Sequence, residues 1–193
     1  MFPRMEKTRS RLGLPLAKQE NAMSCYAQMT MLLAVALVFA LAVSAYAITG
    51  TWKSRIEGFT RVSMSHNPTS NYVKVLQRFL ICYNDTTNQL IIDGGGVDGI
   101  FGQKADSAVR EFQSKRKITD DGDCGTNTWG EVATCLSSST SGNVTTFITN
   151  YLCPSGYGSN VMKATLNSAG TYHTYSTYDQ YGIAINSIFT RPV

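Results

Sequence analysis

Five aspartates, Asp93, Asp98, Asp120, Asp121 and Asp123, crowd two glycine-bearing stretches of this 193-residue chain, and with two histidines and five cysteines they are its main candidates for chemistry. Calcium coordination requires spaced oxygen ligands closing on a terminal glutamate, and that glutamate is missing. Aspartates that accept hydrogen bonds from their own turn backbone are the expectation instead. No two carboxylates stand out as flanking a sugar cleft. His66 and His173 are isolated, no cysteine has an evident histidine partner, and H-E-x-x-H and G-x-S-x-G are both absent. No C-x2-C pair occurs, so zinc is a weak use for the cysteines. The expectation is therefore binding without catalysis: no catalytic residue, no metal and no cofactor.

The cysteines fit an exported body. From Met29 to Ile48 the residues are apolar or small except Thr30, Ser44 and Tyr46, with Arg4, Lys7, Arg9, Arg11 and Lys18 upstream. That charge bias keeps the N-terminus cytosolic and sends the rest across the membrane. Ser44-Ala45-Tyr46-Ala47 suits signal-peptidase cleavage, whereas an uncleaved run is long enough for a type II anchor. The chain is thus expected to be secreted, or single-pass with its body outside and the membrane as a partner. Cys82, Cys124, Cys135 and Cys153 form an even set that permits three pairings. Asn84 and Asn143 head sequons, which would make a glycoprotein in a host that glycosylates. Of the net charge of +4, residues 1–28 hold +3. The nearly neutral remainder argues against nucleic acid, and 43% hydrophobic residues argue against a disordered chain.

Turns and helices must position these groups. Residues 49–70 mix small and polar types without a sustained period and read as a linker. Val73, Leu76 and Leu80 then fall on one helical face, followed by Ala105, Ala108, Val109 and Phe112, and by Trp129, Val132, Ala133 and Leu136. Asp98-Gly99-Ile100-Phe101-Gly102 precedes the second helix, and Asp121-Gly122-Asp123-Cys124-Gly125 the third. Thr128 and Glu131 have capping-box spacing, and Lys115-Arg116-Lys117 closes the second helix. Phe101, Phe112 and Trp129 are predicted to fill the centre. Gln77 and Gln113 interrupt apolar faces, and their amides are predicted to satisfy backbone groups of the two Asp-Gly turns.

Beyond the helices, residues 137–142 read as a Ser-rich flexible joint, and 143–193 as a β-rich region with strands near Thr145 to Tyr151 and Gly182 to Phe189. A segment this short is expected to pack on the helices or to be stapled to them through Cys153. Tyr172, Tyr175, Tyr178 and Tyr181 recur every third residue, as in a surface loop or a sugar-stacking strip.

Read in order, Val73-x-x-Leu76-Gln77-x-x-Leu80, the first Asp-Gly turn, Ala108-Val109-x-x-Phe112-Gln113, and Asp121-Gly122-x-x-Gly125-x-x-Thr128-Trp129 resemble the type 1 peptidoglycan-binding-like domain found on cell-wall hydrolases. The resemblance spans residues 71–136. It implies a three-helix bundle, and the whole chain is then expected to be mainly α: that bundle after a signal or anchor helix at 29–48 and a basic leader at 1–28, with a small β-rich C-terminal region behind it. It also implies peptidoglycan or a related glycopeptide as ligand, with Asp98, Gly99, Phe101, Asp121 and Gly122 as contact candidates. Leu76, Leu80, Val109, Phe112, Trp129 and Leu136 would form the core. Ala105 in place of a usual threonine, the long 81–96 segment and the added cysteines depart from the family pattern. A disulfide-stabilised scaffold without glycan binding, or an accessory part of a hydrolase, are the competing functional readings.

Overall fold

The computed structural model describes residues 52–179 and 181–193; the leader and the apolar 29–48 stretch lie outside the described residues. Helix α1 (Asn71–Tyr83) starts where the Ser70 hydroxyl accepts from Val73 N and buries Val73, Leu76, Phe79 and Leu80. Asn84 ends α1 and caps α2 (Asp85–Asp93) by accepting from Thr87 N. Helix α3 (Gln103–Arg116) closes on Lys117 in the left-handed conformation, and α4 (Thr126–Thr134) follows the second Asp-Gly turn.

The polypeptide then forms one antiparallel meander, with β1 (Leu136–Ser141), β2 (Val144–Thr149), β3 (Asn160–Leu166), β4 (Tyr172–Tyr178) and β5 (Ala184–Pro192) side by side in chain order. Alternating β-branched and aromatic residues drive it: in β2 Thr145, Phe147 and Thr149 face inward while their neighbours lie nearer solvent.

This architecture corrects the mainly α expectation: the protein is α+β. A five-stranded sheet is no appendage when its inner face and the helices share one core, and they do. Phe59 meets Tyr72, Trp129, Tyr175 and Phe189 at ring separations of 5.3 to 5.6 Å. The described residues form one compact unit, which the sequence had divided at residues 137–142. Leu136, expected at the end of the third helix, is the buried first residue of β1. The serines behind it are an edge strand, because Gly142-Asn143 makes a two-residue hairpin loop with Gly142 at φ 59°.

The expected linker also packs. Residues 52–57 are helical, and Ile56, Phe59 and Val62 are buried. Helix α2 is a further addition, built from the long 81–96 segment. Thr128 is no capping residue: α4 is capped at Gly125, the Thr128 hydroxyl donates to Asp123 O, and Glu131 pairs with Arg116. The tyrosine row falls apart for a geometric reason, since a strand alternates every two residues. Tyr175 is fully buried, whereas Tyr172 and Tyr181 are exposed.

Of the four cysteines expected to pair, Cys82 and Cys153 form a disulfide that ties α1 to the loop after β2. Cys124 and Cys135 are buried thiols, and burial pushes the Cys124 thiol well above its ordinary pKa. Asn84 Nδ2 is buried, so that sequon offers no acceptor in the folded chain, while Asn143 is exposed.

Candidate functional site

The two Asp-Gly turns are held by the same device. In the first, Gln77 Nε2 donates to Asp98 Oδ1 at 2.8 Å and to Ile100 O at 3.1 Å, while Gln77 Oε1 accepts from Gly99 N at 2.9 Å. Asp98 Oδ1 also accepts from Ile100 N at 2.8 Å. In the second, Gln113 Nε2 donates to Asp121 Oδ1 and to Asp123 O, both at 2.9 Å, and Gln113 Oε1 accepts from Gly122 N at 2.9 Å. Asp121 Oδ1 also accepts from Asp123 N at 2.9 Å. A glycine is required in each clasp: Gly99 has φ 83° and Gly122 φ 73°. Each turn is further bridged to the chain before α1, Ile100 to Thr69 and Cys124 to Val62.

This geometry decides what the candidate residues do. Gly99, Gly122 and Phe101 are buried, so none of them offers a side chain to a ligand. Asp98 and Asp121 are exposed, but one oxygen of each carboxylate is committed to its own turn. The Asp123 N–H holds the Asp121 carboxyl below the usual carboxylate range, with desolvation opposing and Gln113 Nε2 reinforcing. Leu76, Leu80, Val109, Phe112 and Trp129 are buried, and Trp129 Nε1 donates to Thr60 O at 3.1 Å.

The five ligand candidates do not converge on one cavity. An open groove of about 460 Å³ lies against the second clasp, lined among others by Arg61, Ile118, Asp121, Asp123, Thr126 and Asn127. A smaller hollow of about 200 Å³ lies against the first, lined by Gln77, Ile100, Gln103 and Lys104 among others. Arg61 Nε donates to Asp123 Oδ2 at 2.6 Å across the larger groove. Among the described residues no side chain caps α4 at Gly125, so the first N–H groups of that helix face the groove's end with the positive pole of its dipole. Such a surface offers donors to carboxylates, amides and hydroxyls, and acceptors at the two aspartates.

Sequence reasoning missed Arg61, Thr126 and Asn127, none of which stands in a periodic or charged motif. Arg61 is brought in only by the bridge between Val62 and Cys124. The histidines stay apart from the groove: His66 bonds Ser63 and Ser65, and His173 is buried against Trp52 with ring centroids 4.5 Å apart. Among the described residues no three His, Cys, Asp or Glu side chains gather as a metal site, and no helix is long and apolar enough to cross a membrane.

No match to the chain was found among curated proteins or among solved structures. Residues 69–131 match the family model of a peptidoglycan binding domain, a stretch that takes in both clasps and leaves the sheet outside it.

Proposed function

We propose that this chain is a non-enzymatic, exported or membrane-anchored protein that binds peptidoglycan through the groove beside the second clasp. The observation that carries the reading is the coincidence of the matched segment with that groove: of its lining, only Phe59 and Arg61 fall outside residues 69–131. The uncapped N–H groups of α4 and the Arg61 guanidinium suit a stem-peptide carboxylate, and Asp121 and Asp123 suit its amide donors or sugar hydroxyls.

Sedimentation of the purified chain with insoluble peptidoglycan at low salt tests the binding. Retention in the pellet is expected, and a chain left wholly in the supernatant overturns the reading. The same suspension should keep its turbidity over hours, because the proposed role contains no bond cleavage. Clearing by the purified chain would replace the reading with that of a hydrolase.

A further inference from the structure

Arg78 has no part in the groove, yet it is fully buried on the sheet side of α1. Its Nη2 donates to Gly158 O in the loop between β2 and β3, its Nη1 lies 3.8 Å from Cys82 Sγ, and its Nε has no partner among the described residues. Cys82 stands one helical turn after Arg78, so the guanidinium and that sulfur share a face of α1. The two ends of the disulfide differ in access. Cys82 is 2% exposed, whereas Cys153 is only half-buried and follows Leu152, which is 97% exposed.

We infer that the Cys82–Cys153 disulfide is a directional redox clasp, opened by attack of an external dithiol at Cys153 and with Cys82 leaving as a thiolate beside the Arg78 guanidinium. One thiolate of the dithiol bonds to Cys153 Sγ as the bond to Cys82 breaks, and the electron pair departs on Cys82 Sγ. The second thiol then displaces Cys153. The dithiol is oxidised to its own disulfide and the two cysteines are reduced, with its two protons passing to Cys153 and to solvent. A cation beside a sulfur stabilises the thiolate, and a stabilised leaving thiolate departs faster. Burial lowers the Arg78 pKa and Asp179 opposes that shift, but a guanidinium stays protonated in proteins. Opening the clasp frees the loop carrying Gly158, the acceptor that Arg78 uses. The inference is independent of the glycan reading.

Two measurements on the purified full chain test it. With limiting glutathione and an acid quench, peptide mapping should find the mixed disulfide on Cys153; glutathione on Cys82, or on both cysteines equally, overturns the inference. With dithiothreitol, Arg78→Gln should be reduced on the order of tenfold more slowly than the unaltered chain and Arg78→Lys at nearly its rate. A rate for Arg78→Gln equal to or above that of the unaltered chain also overturns it. Should Arg78→Gln fail to fold, the position of glutathione on the unaltered chain decides the matter.

Discussion

The first and second clasps share one plan, yet they sit in different company. Gln77, Asp98 and Gly99 correspond to Gln113, Asp121 and Gly122, and Gln113 Nε2 adds a bond to Thr128 Oγ1 at 3.0 Å. Three residues before each glutamine the plans diverge. Arg110 donates to the carbonyls of Asp120 and Asp121 at 2.6 and 2.7 Å and is held by Asp106 at 2.8 Å. Lys74 in the equivalent place only passes alongside Gly99. Two residues beyond each aspartate, Ile100 faces solvent where Asp123 pairs with Arg61. One residue further, Phe101 and Cys124 are both buried: Cys124 fills a core position. The clasp is thus architecture, and its neighbours decide whether a ligand has room and partners.

Breaking the glutamines should give the largest effects. Gln113→Leu removes three donated bonds and orphans the buried Gly122 N–H. It is expected to cost about 3 kcal/mol in urea unfolding, against about 2 kcal/mol for Gln77→Leu. Unchanged stability in either variant would remove the structural role of that amide. Alanine at the turn glycines comes next, because a side chain at positive φ costs about 1 to 2 kcal/mol. A Cβ at Gly122 would also run into the Asp106 carboxylate, whereas one at Gly99 meets the flexible Lys74 chain at 2.8 Å. Gly122→Ala should therefore lower Tm more than Gly99→Ala.

Aspartate at the two helix caps sharpens the comparison on the functional side. Among the described residues nothing lies within 4 Å of a Cβ built at Gly102 or at Gly125. Asp is a favoured cap, so both variants should gain a few tenths of a kcal/mol. Gly125→Asp should nevertheless abolish sedimentation with peptidoglycan by occupying the N–H groups of α4, and Gly102→Asp should leave it intact. Loss of binding in both, or in neither, would move the ligand away from the larger groove.

The smallest effect is in the acid limb. Asp121 has a folded pKa below its unfolded value, so the stability it contributes is present above about pH 4 and is lost as pH falls through the folded value. Asp121→Asn keeps a carbonyl acceptor for the turn and removes the titration. Its unfolding midpoint should decline less steeply below about pH 4 than that of the unaltered chain.

The clasps were legible because each rests on local chemistry: a glutamine on an apolar face and an Asp-Gly turn within about two dozen residues of it. The larger groove was half legible, since Asp121 belongs to the motif and Arg61 does not. Part of the missed structure carried a signal. Trp52, Ile56 and Phe59 recur at i, i+4 and i+7, and residues 52–57 are helical. Gly142-Asn143 is a hairpin pair, but the serines before it lack the alternation that marks a strand. Their strand exists because β2 presents an edge to pair with, from Leu136 against Thr149 to Ser141 against Val144.

The amino-acid order by itself determined the glycine-hinged turns, the apolar faces of α1, α3 and α4 and the aromatic residues of the core, because each depends on contacts between near neighbours in the chain. Only the tertiary structure decided that Cys82 pairs with Cys153 across 71 residues, that Phe59 and Tyr175 meet in one core, and that Arg61 reaches Asp123. Strand pairing and disulfide choice join residues far apart in sequence, and their free energy depends on the closure of long loops that no local pattern encodes.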